Sequence, residues 1–285
     1  MEPTEGKRAT SEENQLGERS SRTAGIIAIV FIAIAVSLAA SGIAVWITVG
    51  SQLGKEKGKP AYEGYAYRMK ASDGVKLHML VTEPDKVTLD AVRGNVSASP
   101  FYGINGGFFY NGRLLSMALV NDQPVGGSAG AYGSGSENVR VPRGTLVWDG
   151  AEDRLSVQVL SNPKELQVSD RDHYWAQGGI SMKPKEEAGW RKQIEDELAP
   201  FPDDARLRTA AVYDTEGRLY LVVTDTKTTL AQFRTAIIHS IPMIEDGIFL
   251  DGDGSSQLRS FEASLSGDGR RVEQMIRLVR PNEKP

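Results

Sequence analysis

From Ala24 to Val49 the chain carries no charged side chain, and Ile, Ala and Val dominate the run. A hydrocarbon core takes about 20 apolar helical residues to cross, so this stretch reads as a transmembrane anchor and divides the chain around it. A cleaved signal peptide is the competing reading, with small residues at Ser37-Leu38-Ala39. Apolar residues continue through Trp46 and Ile47, however, past the roughly 7 to 15 usual for a signal peptide. Trp46 suits the aromatic belt of the far interface, while Lys7, Arg8, Arg19 and Arg22 on one side are balanced by Lys55, Lys57 and Lys59 on the other. Charge therefore leaves the orientation open. The expected location is the cell membrane, single-pass through residues 24–49, with an extracytoplasmic C-terminal domain.

The anchor sets the domain plan. Residues 1–23, rich in Glu, Arg, Ser and Thr and free of aromatics, read as a disordered tail; residues 50–60 are a Gly- and Lys-rich linker; residues 61–285 are one folded domain. The net charge of -4 gives no basic footprint for nucleic acid, and the absence of cysteine excludes disulfides, thiolate metal sites and a cysteine nucleophile.

The folded part begins with short alternating runs, Tyr65 to Met69 and Val75 to Met79, around Asp73-Gly74, a strong hairpin signal. His78 alternates with Leu77 and Met79 and is expected to face solvent. Gly126 to Glu137, almost all Gly, Ser and Ala, reads as a mobile surface loop, either a plain connector or a lid over a site. Trp190, Ile194 and Leu198 fall on one stripe of a helix expected over Lys185 to Leu198. Two strands around Asp214-Thr215-Glu216-Gly217 then lead to Asp225, and Thr229 to Gln232 forms a capping box for a helix burying Leu230, Phe233, Ile237 and Ile241. The strand Ile248 to Leu250 follows. Strand, helix, strand in that order predicts a parallel crossover, with Asp225 and Asp251 at neighbouring strand ends. The expected fold class is α+β, a single mixed-sheet domain with packed helices behind the N-terminal transmembrane helix.

Two stretches carry chemistry. Asp251-Gly252-Asp253-Gly254-Ser255-Ser256 follows an apolar strand end and reads either as an acidic turn or as carboxylates held where a ligand can approach the backbone. Asn105-Gly106-Gly107, with Phe108, Phe109 and Tyr110 behind it, reads either as a tight turn over core aromatics or as the wall of a cleft. Asp251, Asp253, Ser255 and Glu262 match positions 1, 3, 5 and 12 of a calcium loop, but Ser256 replaces the required glycine and Arg259 occupies position 9. A divalent cation on Asp251 and Asp253 in some other geometry is the one cofactor left open. No His pair has zinc-ligand spacing.

Taken in order, Gly103-Ile104-Asn105-Gly106-Gly107-Phe108-Phe109, Gln177-Gly178-Gly179-Ile180, Arg208-Thr209-Ala210 and Leu250-Asp251-Gly252-Asp253-Gly254-Ser255-Ser256 resemble the phosphodiester glycosidase family. The resemblance spans about Tyr62 to the C-terminus. Asp253 stands where the family often has glycine, and Thr224-Asp225-Thr226 where it often has Asp-Gly. The resemblance implies a hydrolase that cleaves a sugar 1-phosphodiester in envelope or exopolysaccharide metabolism, with a sugar-phosphate or glycan as its substrate. Cleavage at C1 builds positive charge on the sugar ring and negative charge on the phosphate. Arg208 is then the candidate phosphate clamp, and Asp251, with Asp225 or Asp253, the candidate reacting carboxylate. Asn105, Gly106, Gly107, Gly252, Asp253, Ser255 and Ser256 are the candidate substrate-binding residues, the glycine N–H groups forming an anion nest. The alternatives are a non-catalytic module that binds glycan or envelope polymer on the same fold, and a membrane-tethered scaffold.

Overall fold

The computed structural model describes residues 62–281 and 283, so the tail, the apolar run 24–49 and the linker lie outside the described residues. Pro60–Pro285 form one compact unit. Among the described residues no helix is long and apolar enough to cross a membrane. The expected single-pass placement in the cell membrane therefore has no structural support and is set aside.

The fold class also differs from expectation. The domain is mainly β, not α+β, and every strand pair among the described residues is antiparallel, so the sheets are not mixed. A six-stranded sheet runs in the order Tyr65–Ser72, Val75–Thr82, Leu219–Thr224, Thr209–Asp214, Ile244–Phe249, Ile180–Ser181. A five-stranded sheet is ordered Arg154–Leu160, Arg143–Asp149, Tyr174–Gly178, Ala118–Val120, Gln123–Pro124. A second five-stranded sheet is ordered Ser264–Leu265, Leu258–Arg259, Gly103–Asn105, Val272–Leu278, Val87–Gly94.

The central strands explain the layering. Along Thr209–Asp214 and Leu219–Thr224, Ala211, Tyr213, Leu219, Leu221 and Val223 join one core with Ile104, Leu146, Trp175 and Ile276 of the other two sheets. The alternate residues Ala210, Val212, Tyr220 and Val222 join a second core with Trp190, Ile194, Leu230, Phe233 and Ile237. A sheet buried on both faces takes a continuous apolar run instead of an apolar-polar alternation, as these strands do. The α-helices among the described residues are Trp190–Asp196 and Leu230–Ser240, both on that second face.

Local signals decided much of this. Ser72 pairs with Val75 across a hairpin turn in which Asp73 and Gly74 both have positive φ, as a two-residue type I′ turn requires. Thr229 caps Leu230–Ser240 with the reciprocal capping box. The helix expected over Lys185 to Leu198 forms only as Trp190–Asp196, and Leu198, at φ 54, leaves the stripe and is exposed.

The predicted crossover fails for one topological reason. Leu219–Thr224 and Ile244–Phe249 do run in the same direction, but Thr209–Asp214 lies between them, antiparallel to both. Their ends are thus separated by two interstrand spacings, about 10 Å.

Phe233 is fully buried between helix and sheet. Phe233→Ala should lower the unfolding free energy by about 3–5 kcal/mol, against less than about 1 kcal/mol for Met69→Ala on the exposed side of an edge strand, both read from urea midpoints.

Candidate active site

Asp251 is held where three distant segments meet. Leu250 N–H donates to the Thr209 carbonyl at 2.9 Å, Asp251 N–H to the Gly106 carbonyl at 3.2 Å, and Asp253 N–H to the Leu207 carbonyl at 2.7 Å. The hub of the junction is Asn105, only 1% exposed. Its amide donates to the Asp251 carbonyl at 2.8 Å, and its Oδ1 accepts from Gln257 N–H at 3.0 Å and from Thr209 Oγ1 at 3.0 Å. Thr209 Oγ1 also lies 3.1 Å from Ser256 Oγ.

A buried amide chain supports the hub from behind. Gly107 N–H donates to Gln274 Oε1 at 3.0 Å, Gln274 Nε2 to Gln177 Oε1 at 2.8 Å, and Gln177 Nε2 to the Gly178 carbonyl at 2.9 Å. Gly106 N–H goes to the Gln274 carbonyl at 2.9 Å. A Cβ on Gly106 would stand 1.5 Å from Gln274 Oε1, so the glycine is dictated by this side chain. The expected nest does not form at Gly106 and Gly107, whose N–H groups are already used inside the protein. Gly252 N–H folds back onto its neighbour's Asp251 Oδ1 at 3.1 Å.

In front of the junction lies a cleft of about 650 Å³, part of it open to solvent, floored by Phe108, Ile180, Leu230 and Phe249. Asp251, Gly252 and Asp253 line it with Thr209 and three arginines, Arg206, Arg208 and Arg270. Arg208 is 6% exposed and is tied down by carbonyls alone: Nε donates to Thr228 at 3.2 Å, and Nη2 to Phe201 at 2.7 Å and Asp204 at 2.8 Å. Among the described residues Nη1 meets no acceptor and the guanidinium meets no carboxylate. Burial, reinforced by the charge of Arg206, lowers its pKa to about 10, so it remains a cation at neutral pH.

The other two arginines are already paired. Arg206 bonds Asp204 and Asp253 and lies over the Phe201 ring at 4.0 Å, while Arg270 bonds Asp268. Asp253 sits at φ 54, a left-handed conformation that glycine adopts freely and Asp tolerates better than most side chains.

Asp251 is strongly altered by its surroundings. Its carboxyl is enclosed by protein although the residue keeps some surface in the cleft, and burial pushes its pKa up to about 7. Ser255, the Gly252 N–H and the charge of Arg270 oppose that rise, and Asp253 adds to it. Ser255 Oγ is itself buried, close enough to favour the charged carboxylate yet without a partner in full hydrogen-bond geometry.

Asp225 stands elsewhere. It pairs with Lys76 at 2.6 Å and His78 at 3.2 Å and does not line the cleft. His78, expected at the surface, is buried between Asp225 and the Tyr67 hydroxyl, which lies 2.7 Å from its Nδ1. Arg206 and Arg270 were not singled out from the sequence; the alternation Arg206-Leu207-Arg208 was the available signal for the first, whereas Arg270 arrives through a turn that no local pattern ties to the site. Glu197 was also not singled out. Its buried carboxylate accepts from Gly144 N–H, Ser181 N–H and Ser181 Oγ, fastening to the sheets the chain that continues into the cleft wall at Ala199, Pro200 and Phe201.

Residues 91–279 match the sequence model of the phosphodiester glycosidase family. The chain belongs to the phosphodiester glycosidase family. Members are glycosidase-type hydrolases, and a glycan or sugar-phosphodiester substrate fits this one. The fold resembles the catalytic domain of zebrafish N-acetylglucosamine-1-phosphodiester alpha-N-acetylglucosaminidase, auto-inhibited by pro-peptide, with a TM-score of 0.56 and 16% identity over 79% of this chain and 85% of that one. A hypothetical protein from Synechocystis aligns with a TM-score of 0.42 and 13% identity over 75% of this chain and 62% of that one. No curated protein matches the chain.

The donor set of this phosphodiester glycosidase suits an anion better than a cation. Among the described residues no three His, Asp or Glu side chains are grouped to hold a metal ion, and Asp253 is neutralised by Arg206.

With its carboxyl at about 7 in the folded state, against about 3.9 in an unfolded chain, Asp251 keeps a proton that the unfolded state has released. Stability present below the unfolded value is therefore lost as pH rises through the folded one. Asp251→Asn cannot ionise and should be more stable than wild type at about pH 8.5, by roughly 1–4 kcal/mol, with the gap closing toward about pH 4. A pH-independent gap in urea midpoints would contradict this.

Proposed function

We propose that this cleft hydrolyses the bond between C1 of a sugar and the phosphate of a phosphodiester, releasing a free sugar and a phosphate monoester. One observation carries the reading: a buried arginine with an unused guanidinium edge and a carboxyl poised near neutral pH line the same cleft.

The chemistry follows from the charges. As the C1–O bond lengthens, the ring becomes cationic and the phosphate gains charge. Arg208 accepts that charge on fixed N–H groups whose orientation is set beforehand by three carbonyls, so little reorganisation accompanies the reaction. A phosphate monoester has a second pKa of about 6, so it departs as a weak base without prior protonation. Asp251 serves the sugar side: ionised, it stabilises or attacks the cationic carbon, or takes the proton of the water whose oxygen ends on C1. Asp253, held by Arg206, is the second carboxylate of the cleft; Asp225 takes no part.

Gly252 and the surface of Asp253 contact substrate, whereas the buried Ser255 acts on the Asp251 carboxyl from behind. Asn105, Gly106, Gly107 and Ser256 act through Asp251, by fixing the backbone that carries it. A sugar 1-phosphate linkage inside an envelope or exopolysaccharide polymer is the substrate class proposed, supported by a cleft that is open on one side.

The test is reducing-sugar release by the purified full chain from a monosaccharide 1-(methyl phosphate). Wild type should release sugar; Asp251→Ala should lower kcat/KM by about 100- to 10,000-fold and Arg208→Lys by about 100- to 1,000-fold. Saturable binding without turnover would instead make the domain a binding module, and undiminished release by Asp251→Ala would remove that residue from the chemistry.

A further inference from the structure

A second cavity, of about 540 Å³ and partly open to solvent, shares no lining residue with the Asp251 cleft. Arg93, Arg271, Glu273 and Leu114 line it together with Gly112, Gly126 and Gly133. Leu114 is the one apolar side chain among them, so the walls are made of charge and bare peptide groups. The glycine-rich loop Gly126 to Glu137, expected to be mobile, is fastened here as one wall. Gly126 N–H donates to the Ser134 carbonyl at 2.8 Å, and Leu114 N–H to the Gly133 carbonyl at 2.9 Å.

The charge in this cavity is incompletely paired. Glu273 is buried, and Arg271 holds both of its oxygens, Nε donating to Oε1 at 3.1 Å and Nη2 to Oε2 at 3.2 Å. Among the described residues Arg271 Nη1 has no acceptor, and the whole Arg93 guanidinium has none. The N–H groups of Gly112 and Gly133 also meet no acceptor among the described residues. Two arginines against one glutamate leave the lining net positive.

The backbone gives an independent observation. Arg93 belongs to Val87–Gly94, an edge strand paired with Val272–Leu278. Val272 pairs with Gly94 and Gln274 with Ala91, so Val92 and Arg93 together stand opposite Glu273, the two-against-one count of a β-bulge. Arg93 has φ 44 there, a left-handed value that glycine adopts at no steric cost and a long side chain does not. Bulges also blunt sheet edges, but blunting needs neither a left-handed arginine nor a second arginine beside Glu273. A bulge that turns Arg93 toward a ligand accounts for both.

We propose that this cavity is a second anion site, taking a tetrahedral oxyanion of the phosphate or sulfate class on Arg93, with Arg271 Nη1 as a further donor. A guanidinium is permanently charged and presents its N–H groups in a fork that fits such an ion, and the glycine walls let the ion approach the backbone. A metal cation is a poor occupant, because the one carboxylate present is already bound by Arg271. The cavity is larger than a bare phosphate, so the ion is either free or the head of a small ester, and the same donors meet both. The site stands apart from the proposed hydrolysis and does not depend on it.

The test is isothermal titration of the full chain with inorganic phosphate, glycerol phosphate, sulfate and acetate. Arg208 offers an anion donor of its own, but substitutions at Arg93 leave that cleft untouched, so the difference between wild-type and variant isotherms reads the second cavity. Wild type should show a saturable phosphate and sulfate site that Arg93→Gly and Arg93→Asn each weaken by about 10- to 100-fold. Both replacements tolerate φ 44, so their urea midpoints should match or exceed that of wild type, which separates lost binding from lost fold. Glycerol phosphate binding more tightly than phosphate assigns an ester as the occupant; equal or weaker binding assigns the free ion. Superimposed isotherms for wild type and both variants, or an Arg93-dependent step that takes acetate as tightly as phosphate, would overturn the site.

Discussion

The buried amide of Asn105 bonds the Asp251 carbonyl, the Gln257 N–H and the Thr209 hydroxyl, and through them it joins the ends of interior strands of two sheets at the cleft. An unpaired polar group in such a place costs about 1–3 kcal/mol, so the three segments cannot drift apart independently. The amide chain through Gln274 and Gln177 extends the same constraint to the third sheet. Motifs separated by long stretches of chain are thereby parts of one hydrogen-bonded support, and the glycines in them leave room for its side chains.

That rigidity has an electrostatic consequence. A carboxyl held in a confined, largely dry position cannot relax toward water, and Asp251 is accordingly driven to about 7 in spite of the arginines nearby. Arg208 shows the complementary effect. Three carbonyls fix a buried cation without neutralising it, leaving its charge to be met by a ligand. Arg206 and Arg270 already have carboxylate partners and set the field of the cleft more than they offer free donors.

The sequence carried local structure further than it carried topology. Asp73-Gly74 and the Thr229 capping box were legible because turn and cap chemistry depend on a few adjacent residues. Membership of the glycosidase family was legible in the ordered motifs. The antiparallel, mainly β character was not, because a strand, helix, strand order is equally compatible with Thr209–Asp214 inserting between the two strands, and only long-range pairing decides that. The same insertion removes Asp225 from the cleft and gives its carboxylate to Lys76 and the buried His78. Asn105 and the glycine pair were found as important positions, but local pattern could not distinguish an N–H aimed at a ligand from one aimed at Gln274.

Asp251 is a carboxyl kept near neutrality in a cleft that it shares with Arg208, a buried cation without a carboxylate partner among the described residues. Carbon-13 NMR titration of the Asp251 carboxyl, assigned by comparison with Asp251→Asn, tests it directly. The free protein should titrate at about 7, and a bound sugar 1-phosphate should move that value upward, since a nearby anion disfavours the carboxylate. Titration at about 4 with no response to the sugar phosphate would contradict the assignment.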